Sequence, residues 1–345
     1  MKTVLVTGGA GYIGSHTCKE LVRAGYAPVV YDNLCQGHRW AVRYGPLVEG
    51  DVADTAMLTD TLRATGAEAV IHFAAHADVA ESMRNPQKYF RSNVGGMISL
   101  LDAVHAAGVP RVVFSSTCAT YGNPERIPIT EHQRQEPLNA YGTSKLCAEQ
   151  MLRWNTAASG LQYVALRYFN AAGADPDGEL GEAHDPESHL IPVAINAALG
   201  RGPRLEIFGT DYRTPDGTAI RDFVHVTDLA RAHVAALRYL ERGGLSDAFN
   251  VGTGEGVSVR DVIAYVQAVS RRPVPHVDGP RRPGDPEALV ADPRKARSVL
   301  GWQAKCSDLF TIVETAFRWH AHGMPAMPRC DETAGTLARH SSRGE

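Results

Sequence analysis

The sequence predicts an α/β chain, a doubly wound parallel sheet followed by a smaller C-terminal α/β module. Two observations carry this: short apolar runs rich in β-branched residues alternate with stretches of helical spacing, and a glycine-rich turn ends the first run. The expected strands, in order, are Val4–Thr7, Val29–Asp32, Leu47–Glu49, Ala69–Phe73, Val112–Ser115 and Tyr163–Arg167. Between them Ser15–Ala24, Met57–Ala64, Met97–Ala107 and Ser144–Asn155 carry apolar residues at helical intervals. Strands joined by helices pair in parallel, with helices on both faces of the sheet.

Past residue 172 the texture changes. Gly173–Pro186 and Gly209–Thr218 are rich in Gly, Pro and Asp and separate shorter helical or strand pieces. The expected organisation is a first domain over 1–172 and a second over 173–322. The chain returns to the first near 220–252, where Phe249-Asn250-Val251-Gly252 reads as a buried strand ending in a turn. The stretch 323–345 mixes Pro, Gly, Ser and charge without apolar period and reads as a flexible tail.

A chain of 345 residues has room for one large or two intimately packed domains and a sizeable ligand site. With 44% hydrophobic and 21% charged residues it is an ordinary globular composition, which excludes disorder or fibre for most of its length. A net charge of -3 spread along the chain gives no footprint for nucleic acid or an anionic membrane. Cys18, Cys35, Cys118, Cys147, Cys306 and Cys330 form no C-x-x-C pair and no metal spacing, so free thiols are expected. His72/His76 and His320/His322 lack carboxylate or Cys companions at ligand spacing, and no metal is expected. Val4-Leu5-Val6 is broken at once by Thr7-Gly8-Gly9, which is neither a signal core nor a membrane span; a cytoplasmic location follows as the expectation.

Thr7-Gly8-Gly9-Ala10-Gly11-Tyr12-Ile13-Gly14 puts glycines at 8, 11 and 14 between the first strand and the first helix. Such spacing lets the backbone turn tightly, approach a pyrophosphate and present helix N-terminal N–H groups to its charge. Asp32 closes the second strand, placed to accept hydrogen bonds from ribose hydroxyls, and its charge repels a 2'-phosphate. No Arg or Lys follows before Arg39, so the cofactor expected at this Rossmann-type turn is NAD. Asp51-Val52, after the third strand, suits either a place beside the adenine or a cap for a helix starting near Asp54.

Tyr141-Gly142-Thr143-Ser144-Lys145 sets a phenol and an ammonium at i and i+4, on one helix face. A free phenol, with a pKa of about 10, is a poor base, but a neighbouring Lys cation and an oxidised nicotinamide ring both favour the phenolate. Tyr141 is then a candidate general base, and Lys145 can reach the nicotinamide ribose. Ser115-Ser116-Thr117 closes a strand at the sheet's C-terminal edge, where a hydroxyl can meet a reacting oxygen.

Taken together, Thr7–Gly14, Phe114-Ser115-Ser116-Thr117-Cys118-Ala119-Thr120-Tyr121-Gly122, Tyr141–Lys145 and Tyr168-Phe169-Asn170 resemble the extended short-chain dehydrogenase/reductase superfamily. Within it the chain is most similar to the UDP-glucose 4-epimerases, over roughly 1–320, with His72-Phe73-Ala74-Ala75, Ile207–Tyr212, Asp216–Thr218, Arg221–Val226 and Arg282–Asp285 in matching order. The resemblance implies that Tyr12 and Ile13 contact the NAD diphosphate. Asp32, Asn33, Leu34, Cys35 and Gly37 would contact the adenosine ribose, and Asp51 and Val52 the adenine. Phe73, Ala74, Asn93, Ser115 and Phe169 would line the rest of the cofactor, together with Ala77, which stands where many relatives carry Lys. Thr117, Tyr141 and Lys145 match the catalytic trio. Asn170, His189, Leu190, Glu206, Phe208, Arg221, Arg282 and Asp285 match positions that hold UDP, the arginines offering guanidinium forks to a diphosphate. Leu289 falls at the family's gatekeeper for N-acetylated sugars.

The implied activity is inversion of C4 of a UDP-hexose through a 4-keto intermediate, interconverting UDP-galactose and UDP-glucose in a homodimer built on the Met97–Ala107 and Ser144–Asn155 helices. A UDP-GlcNAc or UDP-pentose epimerase is the alternative, because Leu289 is smaller than the tyrosine of strict glucose epimerases. Nucleotide-sugar dehydratases carry an acidic pair where this chain has Cys118 and Ala119. A non-catalytic dinucleotide sensor would be free to lose Tyr141 or Lys145, and both are present.

Overall fold

The six apolar runs fold as strands β1 (Thr3–Thr7), β2 (Ala27–Asp32), β3 (Leu47–Glu49), β4 (Ala69–His72), β5 (Arg111–Thr117) and β6 (Gln162–Tyr168). They are followed by β7 (Asn170–Ala172), β8 (Leu205–Phe208), β9 (Ile220–Arg221), β10 (Phe223–His225), β11 (Asp247–Val251), β12 (Val257–Ser258), β13 (His276–Gly279) and β14 (Ala288–Leu289). The helices are α1 (Tyr12–Arg23), α2 (Thr55–Thr65), α3 (Val79–Arg84), α4 (Pro86–Tyr89), α5 (Gly96–Ala107), α6 (Ala140–Ser159), α7 (Leu190–Ala198), α8 (Val226–Glu241), α9 (Val259–Ser270) and α10 (Leu309–His322). This computed structural model describes residues 1–322, and the tail anticipated at 323–345 lies outside the described residues.

Seven strands form one parallel sheet in the order β11-β6-β5-β4-β1-β2-β3. Alternate residues of each strand go to opposite faces, and both faces are dry. Val4, Val6, Val30, Ile71, Val113 and Leu166 meet Cys18 and Leu21 of α1 and Leu229 to Leu240 of α8. Leu5, Val29, Tyr31, Val70, Val112, Phe114 and Ala165 meet Leu58 and Leu62 of α2, Met97 to Val104 of α5, and Ala148 and Leu152 of α6. The segment 226–251 therefore covers and extends this sheet, with β11 at its edge beside β6.

A second core gathers α7, α9 and α10 around Leu205, Ile207 and Phe223, with three small sheets, β10-β7, β12-β9-β14 and β13-β8. Two differences from the expected elements matter for the site. α6 begins four residues before the expected Ser144, because Asn139 caps it by accepting from the N–H of Gly142 (2.8 Å), which moves Tyr141 into the first turn. The helix expected from Met97 is preceded by a widened π-type turn at Phe90–Gly95 that carries Asn93.

Beneath the sheet's C-terminal edge lies a buried ionic network. Arg167 on β6 grips Glu149 on α6 with Nε (3.0 and 3.1 Å) and Nη2 (2.6 Å), and its Nη1 donates to the Tyr121 hydroxyl (2.9 Å). Tyr121 in turn donates to Asn250 Oδ1 on β11 (2.7 Å). Removing one side of such a pair leaves a buried charge unmatched. Arg167→Met is expected to cost about 3–5 kcal/mol in urea unfolding, and Arg167→Met/Glu149→Leu to recover most of it. A single variant as stable as the parent sinks this account.

Candidate active site

The phosphate turn is set by backbone contact. Gly8 lies in the left-handed region (φ 72), where a Cβ would stand 2.6 Å from Ala74 N; a Cβ on Gly14 would stand 2.2 Å from Gly8 O. The turn is thus pressed to the end of β4, where the strand order reverses. Gly11 is the N-cap of α1 and no side chain closes it, so first-turn N–H groups of Tyr12 and Ile13 remain for an anion. Asp32 Oδ2 accepts from Ala10 N (2.9 Å) and Oδ1 from Leu34 N (2.8 Å), holding Leu34 in the left-handed region (φ 60). Burial pushes the Asp32 carboxyl up, against the pull of these two N–H groups.

Of the two readings open for Asp51, the cap belongs to Asp54, which accepts from Met57 N (2.9 Å). Asp51 is exposed and braced by Asn33 Nδ2 (2.8 Å) and Ala53 N (2.8 Å), with Val52 half-buried beside it. Cys35 and Ala77 are exposed, and Gly37, Phe73 and Ala74 are half-buried. An uncapped helix end, bare backbone around it and a carboxylate held at the strand end suit a dinucleotide. Asn93, expected to line the cofactor, is buried with its amide engaged within the protein. Its oxygen accepts from His76 N (2.9 Å) and its nitrogen donates to His76 O (3.0 Å) and Ser144 Oγ (2.9 Å), which ties the loop after β4 to α6.

Thr117 ends β5, and Tyr141 and Lys145 face it from α6, all three buried. Lys145 Nζ donates to Ser115 O (2.9 Å) and lies 5.0 Å from the Phe114 ring centre, while Ser115 Oγ pairs with the Tyr168 hydroxyl (2.6 Å). Burial pulls the Lys145 ammonium down to about 7. Burial pushes the Tyr141 phenol well above its ordinary value; Tyr168 adds to this and the Thr117 hydroxyl opposes it. With the pocket this dry the phenol keeps its proton in the chain alone, and the expected phenolate depends on positive charge brought beside it, the nicotinamide ring's as well as that of Lys145. Phe169 and Leu289 pack with Cys118, Tyr121, Ile129 and Ala291. Burial raises the Cys118 thiol to about 12, so it fills space rather than reacting.

On the second module Asn170 opens β7 and its N–H donates to Asp222 O (2.9 Å). Arg282 lays its guanidinium 4.1 Å from the Phe208 ring centre, and among the described residues no carboxylate pairs with it. Arg221 is ion-paired with Asp285 and donates to Ile220 O (2.7 Å), which ties together two of the positions expected at the UDP. Glu206 is exposed on β8. His189 is the N-cap of α7, Leu190 its first residue, and the His189 Nδ1 is hydrogen-bonded to Glu182.

Two clusters escaped the sequence reading, which weighed histidine pairs elsewhere. Asp175, Asp177 and Glu179 surround Lys19 Nζ (2.7, 2.8 and 2.8 Å), which fills the space a cation would take. Glu182, His184, Glu187 and His189 converge within one loop, as the spacing E-x-H-x-x-E-x-H allows.

Residues 4–252 match the model of the NAD dependent epimerase/dehydratase family. The chain is 51% identical over 320 residues to the UDP-glucose 4-epimerase of Rhizobium leguminosarum bv. trifolii, covering 93% of this chain and 98% of that one. It superposes with TM-score 0.90 on the UDP-glucose 4-epimerase of Brucella ovis in complex with NAD, at 56% identity and 92% and 98% coverage. TM-score 0.90 is also reached at 38% identity, with 93% and 98% coverage, against the Stenotrophomonas maltophila UDP-glucose-4-epimerase with bound NAD and formylated UDP-arabinopyranose.

The phosphate turn yields a test of the cradle. Gly14→Ala drives a methyl into Gly8 O, so the purified variant is expected to lose dinucleotide that the parent retains, read by absorbance after denaturation. Equal retention removes the turn from the cofactor site.

Proposed function

The chain belongs to the NAD dependent epimerase/dehydratase family, and on that premise we propose that it inverts C4 of a UDP-hexose, interconverting UDP-galactose and UDP-glucose with NAD as resident cofactor. What supports this is Thr117 at the end of β5 with Tyr141 and Lys145 buried against it from α6, and Arg282 and His189 on the second module with charge to offer a diphosphate. Tyr12, Ile13 and Asp32 would hold NAD, which when bound takes the C4 hydride and returns it, so no other redox partner is needed.

Tyr141 takes the O4 proton as C4 is oxidised, while the Thr117 hydroxyl holds that oxygen in line. Lys145, tethered by Ser115 O, sits where its charge favours the phenolate once a cationic ring adds its own. Arg282, His189 and Asn170 keep the UDP anchored while the 4-keto sugar turns its other face, and Tyr141 then returns the proton to O4. Dehydration lacks its acid, since Cys118 and Ala119 stand at those positions and Cys118 keeps its proton.

The chain works as a homodimer in this reading, supported by Ile98 (51% exposed) on α5 and Trp154 (74% exposed) on α6, apolar groups that a partner would cover. No helix among the described residues is long and apolar enough to cross a membrane.

Incubation with UDP-galactose and no added nicotinamide, followed by NMR of the anomeric protons, is expected to give UDP-glucose far in excess of enzyme. Tyr141→Phe should cut turnover by roughly 10²–10⁴-fold with NAD retained. A 4-keto-6-deoxy product, or an active Tyr141→Phe, defeats the assignment. Leu289, buried against Phe169 and Cys118, sets the sugar range: Leu289→Tyr is expected to suppress UDP-GlcNAc turnover and spare UDP-galactose in competition assays. Equal loss for both sugars would show that the side chain does not discriminate.

A further inference from the structure

The loop between β7 and α7 carries Glu182, His184, Glu187 and His189. Glu182 is 2% exposed, and its Oε1 accepts from Nδ1 of His184 (3.1 Å) and from Nδ1 of His189. A carboxylate taken out of water is strongly favoured by a cation beside it, and here the two rings are the groups placed to supply one.

His189 is the ring the surroundings select. Glu187 Oε1 stands 3.6 Å from its Nδ1 and also accepts the N–H of Ser188 (2.8 Å) and of His189 (2.9 Å). Asp78, the N-cap of α3, faces it from the first module. The His184 ring centre lies 5.1 Å away, itself turned edge-on to Tyr12 of α1 (6.4 Å). Burial alone would lower His189; the Glu182 charge and hydrogen bond, then Glu187 and Asp78, outweigh it and raise the ring to about 9. The same pair holds Glu182 below its usual range, against burial.

With Nδ1 committed to Glu182, the donor left is Nε2–H, and among the described residues no hydrogen bond engages it. The ring, 53% exposed, caps α7, whose first-turn N–H groups no side chain closes. A cation and a helix N-terminus thus meet at one point. Resting on the reaction proposed above, we propose that Glu182 is a positioning residue: it keeps His189 an oriented imidazolium whose Nε2–H takes a charge of the UDP diphosphate.

Calorimetric binding of UDP-glucose to the NAD-loaded protein, from about pH 5.5 to 8.5, tests this, because a sugar-capped diphosphate does not change charge there. The parent is expected to bind with a nearly flat profile that bends only at the alkaline end, since His189 titrates at about 9. In Glu182→Gln the ring loses its proton near or below the ordinary value of about 6.5, so Kd rises about ten-fold or more across the window and recovers in acid. Glu182→Asp should restore the nearly flat profile, and His189→Gln should bind weakly at every pH. A Glu182→Gln profile parallel to the parent's overturns the proposal, since a structural carboxylate would weaken binding equally at all pH. If Glu182→Gln does not retain NAD, the decision passes to His189→Gln: weak, flat binding supports the proposal and parent-like affinity overturns it. A parent that binds no UDP-glucose at any pH defeats the proposed function instead.

Discussion

A parallel strand cannot return by a tight turn, so each connection in this chain crosses a face of the sheet and buries it. With α1 and α8 on one face and α2, α5 and α6 on the other, chemistry is confined to the strand ends. The order β11-β6-β5-β4-β1-β2-β3 then decides which ends matter. Successive connections leave β1 in opposite directions, opening a crevice between β1 and β4, and there the turn at Gly8 touches Ala74 at backbone distance. The catalytic candidates follow from the neighbouring strand: β5 ends in Thr117, and α6 approaches it closely enough for Lys145 to reach Ser115 O.

The second half of the site is fastened to the first by its connecting loop. Tyr12 of the phosphate turn donates to Gly173 O (2.5 Å), Lys19 of the same helix is caged by Asp175, Asp177 and Glu179, and His38 donates to Ala183 O (2.6 Å). The loop that carries His189 is thereby registered against α1, whose uncapped N-terminus is the candidate cofactor site. Several buried charges are matched: Lys19 by three carboxylates, Arg167 by Glu149, Glu182 by two imidazoles. Lys145 has no such partner among the described residues; it is held by a carbonyl and an aromatic face, and burial pulls its ammonium down.

Much of this was legible before folding. Val4–Thr7 ahead of Gly8, Gly11 and Gly14, and Asp32 at the next strand end, depend on local stereochemistry and on a spacing of a few residues. Tyr141 and Lys145 share a helix face by periodicity alone. The widened turn at Phe90–Gly95 was not legible, because no composition distinguishes it from the helix it leads into; it exists because Asn93 is pinned by His76 and Ser144. Nor was the Arg221–Asp285 pair, whose partners are far apart in sequence.

The sequence by itself determined the doubly wound sheet, the phosphate turn, the preference for NAD and the Tyr141–Lys145 pair, since each rests on periodicity or on neighbours within a helical turn. Tertiary structure alone decided which way the proton equilibria lean: the Tyr141 phenol and the His189 imidazole upward, the Lys145 ammonium downward. Those depend on how much water is removed and on which charges from distant segments come within a few ångströms, and neither quantity is written in local spacing.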